Sequence, residues 1–302
     1  MGEDRHTEVS ATPVSNVSDT ARWVAVYRAV ESARPDALFH DPYAGRLAGE
    51  QGREIAAKFP PMMRSGWFLA ARTKVIDDVI LDAIAAGCDR VLNLAAGLDT
   101  RPYRLDLPAD FTWVEGDLPG LLTEKEHLMA GEAPRCHLTR YPVDLADAAA
   151  RHRFLNEALA GATKALVLTE GLLMYLEPSD VQELSQAFDR PEIAWWMCDI
   201  AGPGLKKYMN DKTGGLLRNA PFKFAPDNGL GYFEELGWRA AEVESVFVAA
   251  RRFRRLPWFL RLVGRLPQPD PHRPPGNRPW SAVIRMSRTA TPHRRLGGSS
   301  SR

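Results

Sequence analysis

The chain has 302 residues, 45% of them hydrophobic and 25% charged, which excludes wholesale disorder, a fibrous repeat and a disulfide scaffold. Its three cysteines, Cys88, Cys136 and Cys198, each border an apolar run and read as reduced core thiols of a cytoplasmic protein, neither a disulfide framework nor a zinc site. The net charge of +1 hides an asymmetry: residues 251–302 hold thirteen Arg and no Lys against the single Asp270, so the body upstream is acidic.

Residues 1–17 are polar, with Glu3, Asp4 and Glu8, and read as a disordered tail with no secretory signal. Ser18 and Asp19 then precede Trp23, Val26, Tyr27 and Val30 at spacings of three and four, which predicts a capped helix that Pro35 stops. Residues 39–61 read as loop with short helical pieces. A long helix follows over 66–86, striped by Leu69, Val75, Ile76, Val79, Ile80, Ala83 and Ile84 and closed by Gly87. Strand-like runs at 89–95, 111–116, 137–143, 164–169 and 192–199 alternate with helical segments around 119–130, 149–160 and 178–189. That alternation predicts a parallel sheet covered on both faces.

The last third reads as a helix at 228–236, a strand at 238–248, a basic helix at 257–266, a Pro-rich loop at 267–279 and a closing antiparallel strand, WSAVIRMS. The final fourteen residues, TATPHRRLGGSSSR, read as a disordered basic tail. Within the basic helix Trp258, Phe259, Leu262, Val263 and Leu266 share a side. It is expected to cover the substrate, with its arginines toward solvent or an anionic acceptor; docking on a membrane surface is the second reading. No run reaches the roughly eighteen apolar residues of a membrane span. Nucleic acid is not an expected partner, because the body is acidic and no aromatic-basic interleaving of an RNA-binding module is present.

In a doubly wound sheet, ligands bind outside the carboxyl ends of the strands, so the loops after the strands carry the chemistry. The first is Ala95-Ala96-Gly97-Leu98-Asp99-Thr100-Arg101, whose small residues admit a ligand close to the backbone. It lacks the GxGxxG that cradles a pyrophosphate, which disfavours a dinucleotide. The second strand ends in Glu115-Gly116-Asp117, a carboxylate where ribose hydroxyls bind in such sheets. The third ends in Asp144-Leu145, suited to accept from an adenine amine while the neighbour packs on the ring. The fourth ends in Thr169-Glu170-Gly171. An adenosine ligand without pyrophosphate fits this set.

Arg72 lies on the apolar stripe of the helix at 66–86, and a guanidinium rarely points inward without a partner. Either it pairs with a core carboxylate or it receives a ligand carboxylate by a bidentate fork. Arg22, at the edge of the first helix's stripe, raises the same question. The seven histidines show no metal-ligand spacing, and there is no GxSxG or Cys-His pattern, so neither a metal nor a Ser or Cys nucleophile is expected.

Taken in order, TARWVAVYRAVESARPDALFHDPYAGRLAG, RTKVIDDVI, LNLAAGLDTRPYRL, WVEGDLP, Asp144-Leu145 and TEGLLMYL resemble the leucine carboxyl methyltransferase family over about residues 20–190. The resemblance implies a Rossmann-like class I methyltransferase: an α/β, doubly wound, mostly parallel sheet with an antiparallel C-terminal strand and extra N-terminal helices. It implies one domain over 18–288, made of N-terminal helices (18–86), a nucleoside-binding core (88–200) and a substrate-side cover with closing strands (201–288).

The implied cofactor is S-adenosyl-L-methionine. Arg72 and Arg22 then fall at the methionine carboxylate, Ala95 and Gly97 in the glycine motif, Asp117 at the ribose, Asp144 and Leu145 at the adenine, and Glu170 near the methionine amino group. Two positions depart from the family pattern: Ala95 stands where the motif has its first Gly, and Gly116 replaces an apolar residue.

The implied reaction is O-methylation of a small-molecule carboxylate or hydroxyl, as in polyketide and other secondary metabolism. Arg101, Tyr103 and Tyr175 are candidates to orient the acceptor. A protein C-terminal carboxyl group is the runner-up acceptor, and a non-catalytic S-adenosyl-ligand-binding protein is the alternative of a different class.

Overall fold

The computed structural model describes residues 18–213, 216–263, 270, 273 and 276–289. Seven strands form one sheet: β1 (Arg90–Leu94), β2 (Thr112–Asp117), β3 (His137–Pro142), β4 (Ala165–Thr169), β5 (Ile193–Ala201), β6 (Trp238–Ser245) and β7 (Ser281–Arg288), in the order β3-β2-β1-β4-β5-β7-β6. The first five pair in parallel, and β7 runs antiparallel to both β5 and β6. This is the Rossmann-like methyltransferase arrangement, with the closing strand in the expected sense. Chain order reverses between β1 and β4, which opens a crevice at their carboxyl ends.

The strands form because their alternate residues serve two cores. In β4, Ala165 and Val167 face a cluster with Phe154, Leu155, Val181, Leu184 and Trp238, whereas Leu166 and Leu168 face Val75, Ile76, Val79 and Ile80 of the helix Trp67–Ala85. All five β4 residues are buried, so the strand reads as an unbroken apolar run. A third cluster lies at the carboxyl edge, where Trp23, Tyr27, Phe59 and Met63 meet Met174, Met209, Leu217 and Phe222.

Three elements differ from the sequence expectation. Residues 39–61 contain a helix, Ala44–Lys58, interrupted at Gly49, whose φ of 59° breaks the helical geometry. Its glycines argue against a helix by propensity, yet a Cβ on Gly52 would stand 2.9 Å from the Arg22 carbonyl oxygen, so glycine permits the close crossing with the helix Ser18–Ser32.

The strand predicted to reach residue 248 stops at Ser245, whose Oγ caps the helix Val246–Arg252. A short apolar run such as VFVAA does not distinguish strand from helix by periodicity. The helix Pro203–Thr213 carried no sequence expectation, although it supplies Met209 to the third cluster. Of the basic helix at 257–266, Trp258–Val263 is helical. Residues 264–269, most of the Pro-rich loop, and the tails 1–17 and 290–302 lie outside the described residues.

Candidate active site

A cavity of about 270 Å³ opens at the crevice between β1 and β4. Thr20, Ala21, Val24 and Arg28 of the first helix roof it, and Ala95–Asp99, Asp117, Asp144, Leu145, Arg72, Glu170 and Gly171 line the rest.

The loop after β1 is held by its own backbone. Ala95 donates its N–H to the Gly116 carbonyl at 2.8 Å and sits at φ 53°, in the left-handed region that favours glycine. The departure noted at this position is therefore a side chain on a glycine-type backbone. Gly97, at φ 50°, donates its N–H to Asp117 Oδ2 at 2.6 Å, and a Cβ there would stand 3.2 Å from Ala21 Cβ. Asp117 also accepts from the Leu118 N–H at 2.7 Å, and burial pushes its carboxyl pKa above the ordinary value. The second departure also has a structural cause: a Cβ on Gly116 would stand 2.9 Å from the Phe154 ring and 3.2 Å from Val143.

The wall that carries Arg72 and Glu170 is backed by a charge network. Glu170 divides its oxygens between Arg72, at 3.0 Å, and Arg101, at 2.7 Å. Arg101 also reaches Asp77 at 2.6 Å and Asp99 at 2.8 Å, and Arg104 grips Asp77 through two bonds of 2.7 and 2.8 Å. Asp199, at the end of β5, accepts from Arg72 Nη1 at 2.8 Å and from the Gly171 N–H at 2.6 Å. Burial works against ionising Asp99 and Glu170, but the neighbouring guanidinium groups outweigh it and hold both carboxyls below their ordinary values. Arg72 Nε is buried without a partner among the described residues.

Of the residues expected at the cofactor, the structure brings Arg72, Ala95, Gly97, Asp117, Asp144, Leu145 and Glu170 to one cavity. Arg22 is outside its lining and turns instead to the Leu47 carbonyl and to Glu124. Arg72 pairs with the core carboxylates of Glu170 and Asp199 and also lines the cavity.

The acceptor candidates are placed differently from expectation. Arg101 is buried and saturated by acids, so it positions Glu170 from behind. Tyr103 packs on Tyr43 and accepts from Arg140 at 2.7 Å, away from the cavity. Tyr175 lies just behind the cavity, with its hydroxyl bonded to Thr20, its ring against Phe222 and its phenol pKa pushed up to about 12 by burial. Asp77 and Asp199 were missed by sequence reasoning. Asp77 sits on a helix in an apolar stretch, a signal like that of Arg72, whereas Asp199 is a further acid at a strand end. The described part of the basic helix, Trp258–Val263, does not line the cavity; the ring of Tyr175 packs instead on Phe222, beyond the helix Pro203–Thr213.

Residues 21–189 match the leucine carboxyl methyltransferase family. The chain belongs to that family. Its similarity extends beyond the matched segment: a Parafrankia sp. (strain EAN1pec) protein named as an S-adenosyl-L-methionine-dependent methyltransferase is 31% identical, over 83% of this chain and 86% of that protein. A protein of Frankia alni with the same kind of name is 30% identical, over 75% of this chain and 84% of its own length. Among solved structures, a Thermobifida fusca protein named as a methyltransferase shares the fold with a TM-score of 0.52 at 18% identity, covering 82% of this chain and 93% of its own. A DUF574 family protein of Streptomyces avermitilis superposes with a TM-score of 0.51 at 14% identity, over 88% of this chain and 96% of its own.

Proposed function

We propose that this leucine carboxyl methyltransferase family member transfers the methyl group of S-adenosyl-L-methionine to an oxygen of a small molecule, a carboxylate or a hydroxyl. The observation that carries the reading is the single cavity in which an acid at the end of β2, a positive-φ small-residue loop and an Arg–Glu pair converge. These groups fit the cofactor. A carboxylate at Asp117 suits two vicinal ribose hydroxyls, Gly97 leaves the backbone open to a close ligand, and the Arg72 guanidinium, which lines the same cavity, suits a carboxylate.

When bound, the cofactor supplies a methyl group on a sulfonium, which leaves as a neutral thioether. In this reading Asp117 holds the sugar, Asp144 and Leu145 receive the adenine, and Arg72 with Glu170 takes the amino-acid tail. The protein's contribution is alignment and exclusion of water. Arg101, backed by Asp77 and Asp99, keeps the Glu170 carboxylate ionised and aimed. Tyr175, a protonated phenol at neutral pH whose hydroxyl is bonded to Thr20, does not act as a base. A carboxylate acceptor is already ionised and needs no base, so the carboxylate is the better supported of the two acceptors.

Calorimetry with S-adenosyl-L-methionine tests the site. Asp117→Asn keeps an acceptor oxygen for only one of the Gly97 and Leu118 N–H groups, which bond to different carboxylate oxygens, and loses the charge; it is expected to weaken binding by about ten- to a hundredfold. Unchanged affinity would remove Asp117 from the site. Transfer of a labelled methyl group to a panel of carboxylates and phenols, followed by mild base, separates base-labile esters from stable ethers. Cofactor binding without transfer to any acceptor would favour a binding protein.

A further inference from the structure

Trp258, Phe259 and Leu262 project from the short helix Trp258–Val263 with 78%, 39% and 67% of their surface exposed. Apolar side chains exposed singly are ordinary; three within two turns, including a tryptophan, form a patch. They are outside because other residues fill the inward positions. Leu256 is buried and Leu260 packs against the cluster of Val75 and Val79. Arg255 fastens the preceding turn, with Nη2 2.7 Å from Glu31 Oε1 and Nη1 3.2 Å from Asp36 Oδ2.

Cations surround the patch. Arg252, Arg254 and Arg261 are all exposed. Arg254 is held at φ 58° and has no acidic partner among the described residues, and Arg261 Nε donates to the Leu256 carbonyl. Glu31 and Asp36 are engaged by Arg255, and Glu244 by Arg252. The surface therefore combines insertable aromatic and aliphatic side chains with a surplus of guanidinium groups.

We infer that this face docks on an anionic lipid bilayer, with Trp258, Phe259 and Leu262 at the acyl boundary and the arginines on headgroup phosphates. Tryptophan and arginine suit that boundary, since each joins an apolar body to a polar or charged end. The inference is independent of the methyl-transfer reading. Its structural link to the cavity is the Arg255–Glu31 pair, which joins the patch to the helix whose earlier turns roof the cavity.

Co-sedimentation of the full chain with vesicles tests it. Binding is expected to vesicles of phosphatidylcholine with phosphatidylglycerol, to be lost with phosphatidylcholine alone, and to weaken with added salt. Arg254→Glu with Arg261→Glu removes two favourable charges and is expected to reduce binding by about twenty-fivefold or more. Trp258→Ser with Leu262→Ser is expected to reduce it on the order of tenfold or more. All four positions are exposed, and unchanged thermal unfolding establishes that the variants remain folded. Equal binding to both vesicle types, indifference to both double variants, or competition by free glycerol phosphate at millimolar concentration overturns the inference. Ultracentrifugation that shows a dimer abolished by Trp258→Ser with Leu262→Ser overturns it as well, in favour of a second copy as the occupant.

Discussion

Ala95 occupies a backbone conformation that glycine adopts freely and that costs an L-residue about 1–2 kcal/mol. Glycine gives part of that back through the larger entropy of its unfolded chain, about 0.5–1 kcal/mol. Ala95→Gly is therefore expected to leave stability unchanged or raise it by up to about 1 kcal/mol, in urea unfolding, while calorimetry shows tighter cofactor binding through the removed Cβ. Weaker binding would mean that the methyl group contacts the ligand. Arg72 is the opposite case, because Glu170 and Asp199 both lean on it. Arg72→Ala leaves the buried Asp199 without its guanidinium partner, while Glu170 keeps Arg101, and is expected to cost about 3–5 kcal/mol in unfolding free energy. Its effect on affinity is then readable only at temperatures where the variant stays folded.

At the scale of elements, the end of β2 is shaped by what lies against it. Gly116 separates Glu115, which is buried on Lys125 at 2.8 Å and Arg140 at 2.9 Å, from Asp117, which faces the cavity. The Phe154 ring from the helix Ala148–Ala158 occupies the space of a Cβ at Gly116. Gly116→Val is expected to destabilise the domain by about 1–3 kcal/mol, and Phe154→Leu in the same chain to recover part of that loss. Additive losses in the double variant would show that the two sites do not share this space.

This residue was legible in the sequence as a departure from the family pattern but not as a consequence of packing, because Phe154 lies 38 positions away on another element. The long helix at 66–86 was legible by its period, and the five parallel strands as short apolar runs that alternate with helical segments. The helix Ala44–Lys58 was not, since its glycines serve a crossing between helices and lower its propensity.

Over the whole molecule, the network around Arg72, Arg101 and Glu170 links four elements through buried charge, so acid should act on it cooperatively. A carboxyl whose folded pKa lies below its unfolded value stabilises the fold fully above that unfolded value, near 4, and loses this as pH falls toward the folded value. Asp99 and Glu170 behave so, while Asp117, raised by burial, stabilises in the opposite sense when protonated. The melting temperature is expected to be nearly flat from pH 7 to 5 and to fall steeply below about pH 4. A melting temperature that holds to pH 2 would show the network contributes little.

The sequence alone determined the alternation of strands and helices, the acids at the strand ends and the family, because these depend on neighbours a few residues apart. Which charges face the cavity and which face one another was decided only by the tertiary structure. Arg72 and Asp199 stand 127 residues apart in the chain and 2.8 Å apart in space, and Arg101, read as a group for the acceptor, is surrounded by three carboxylates. A buried ion chooses its partner by distance and desolvation, and neither quantity is written in local spacing.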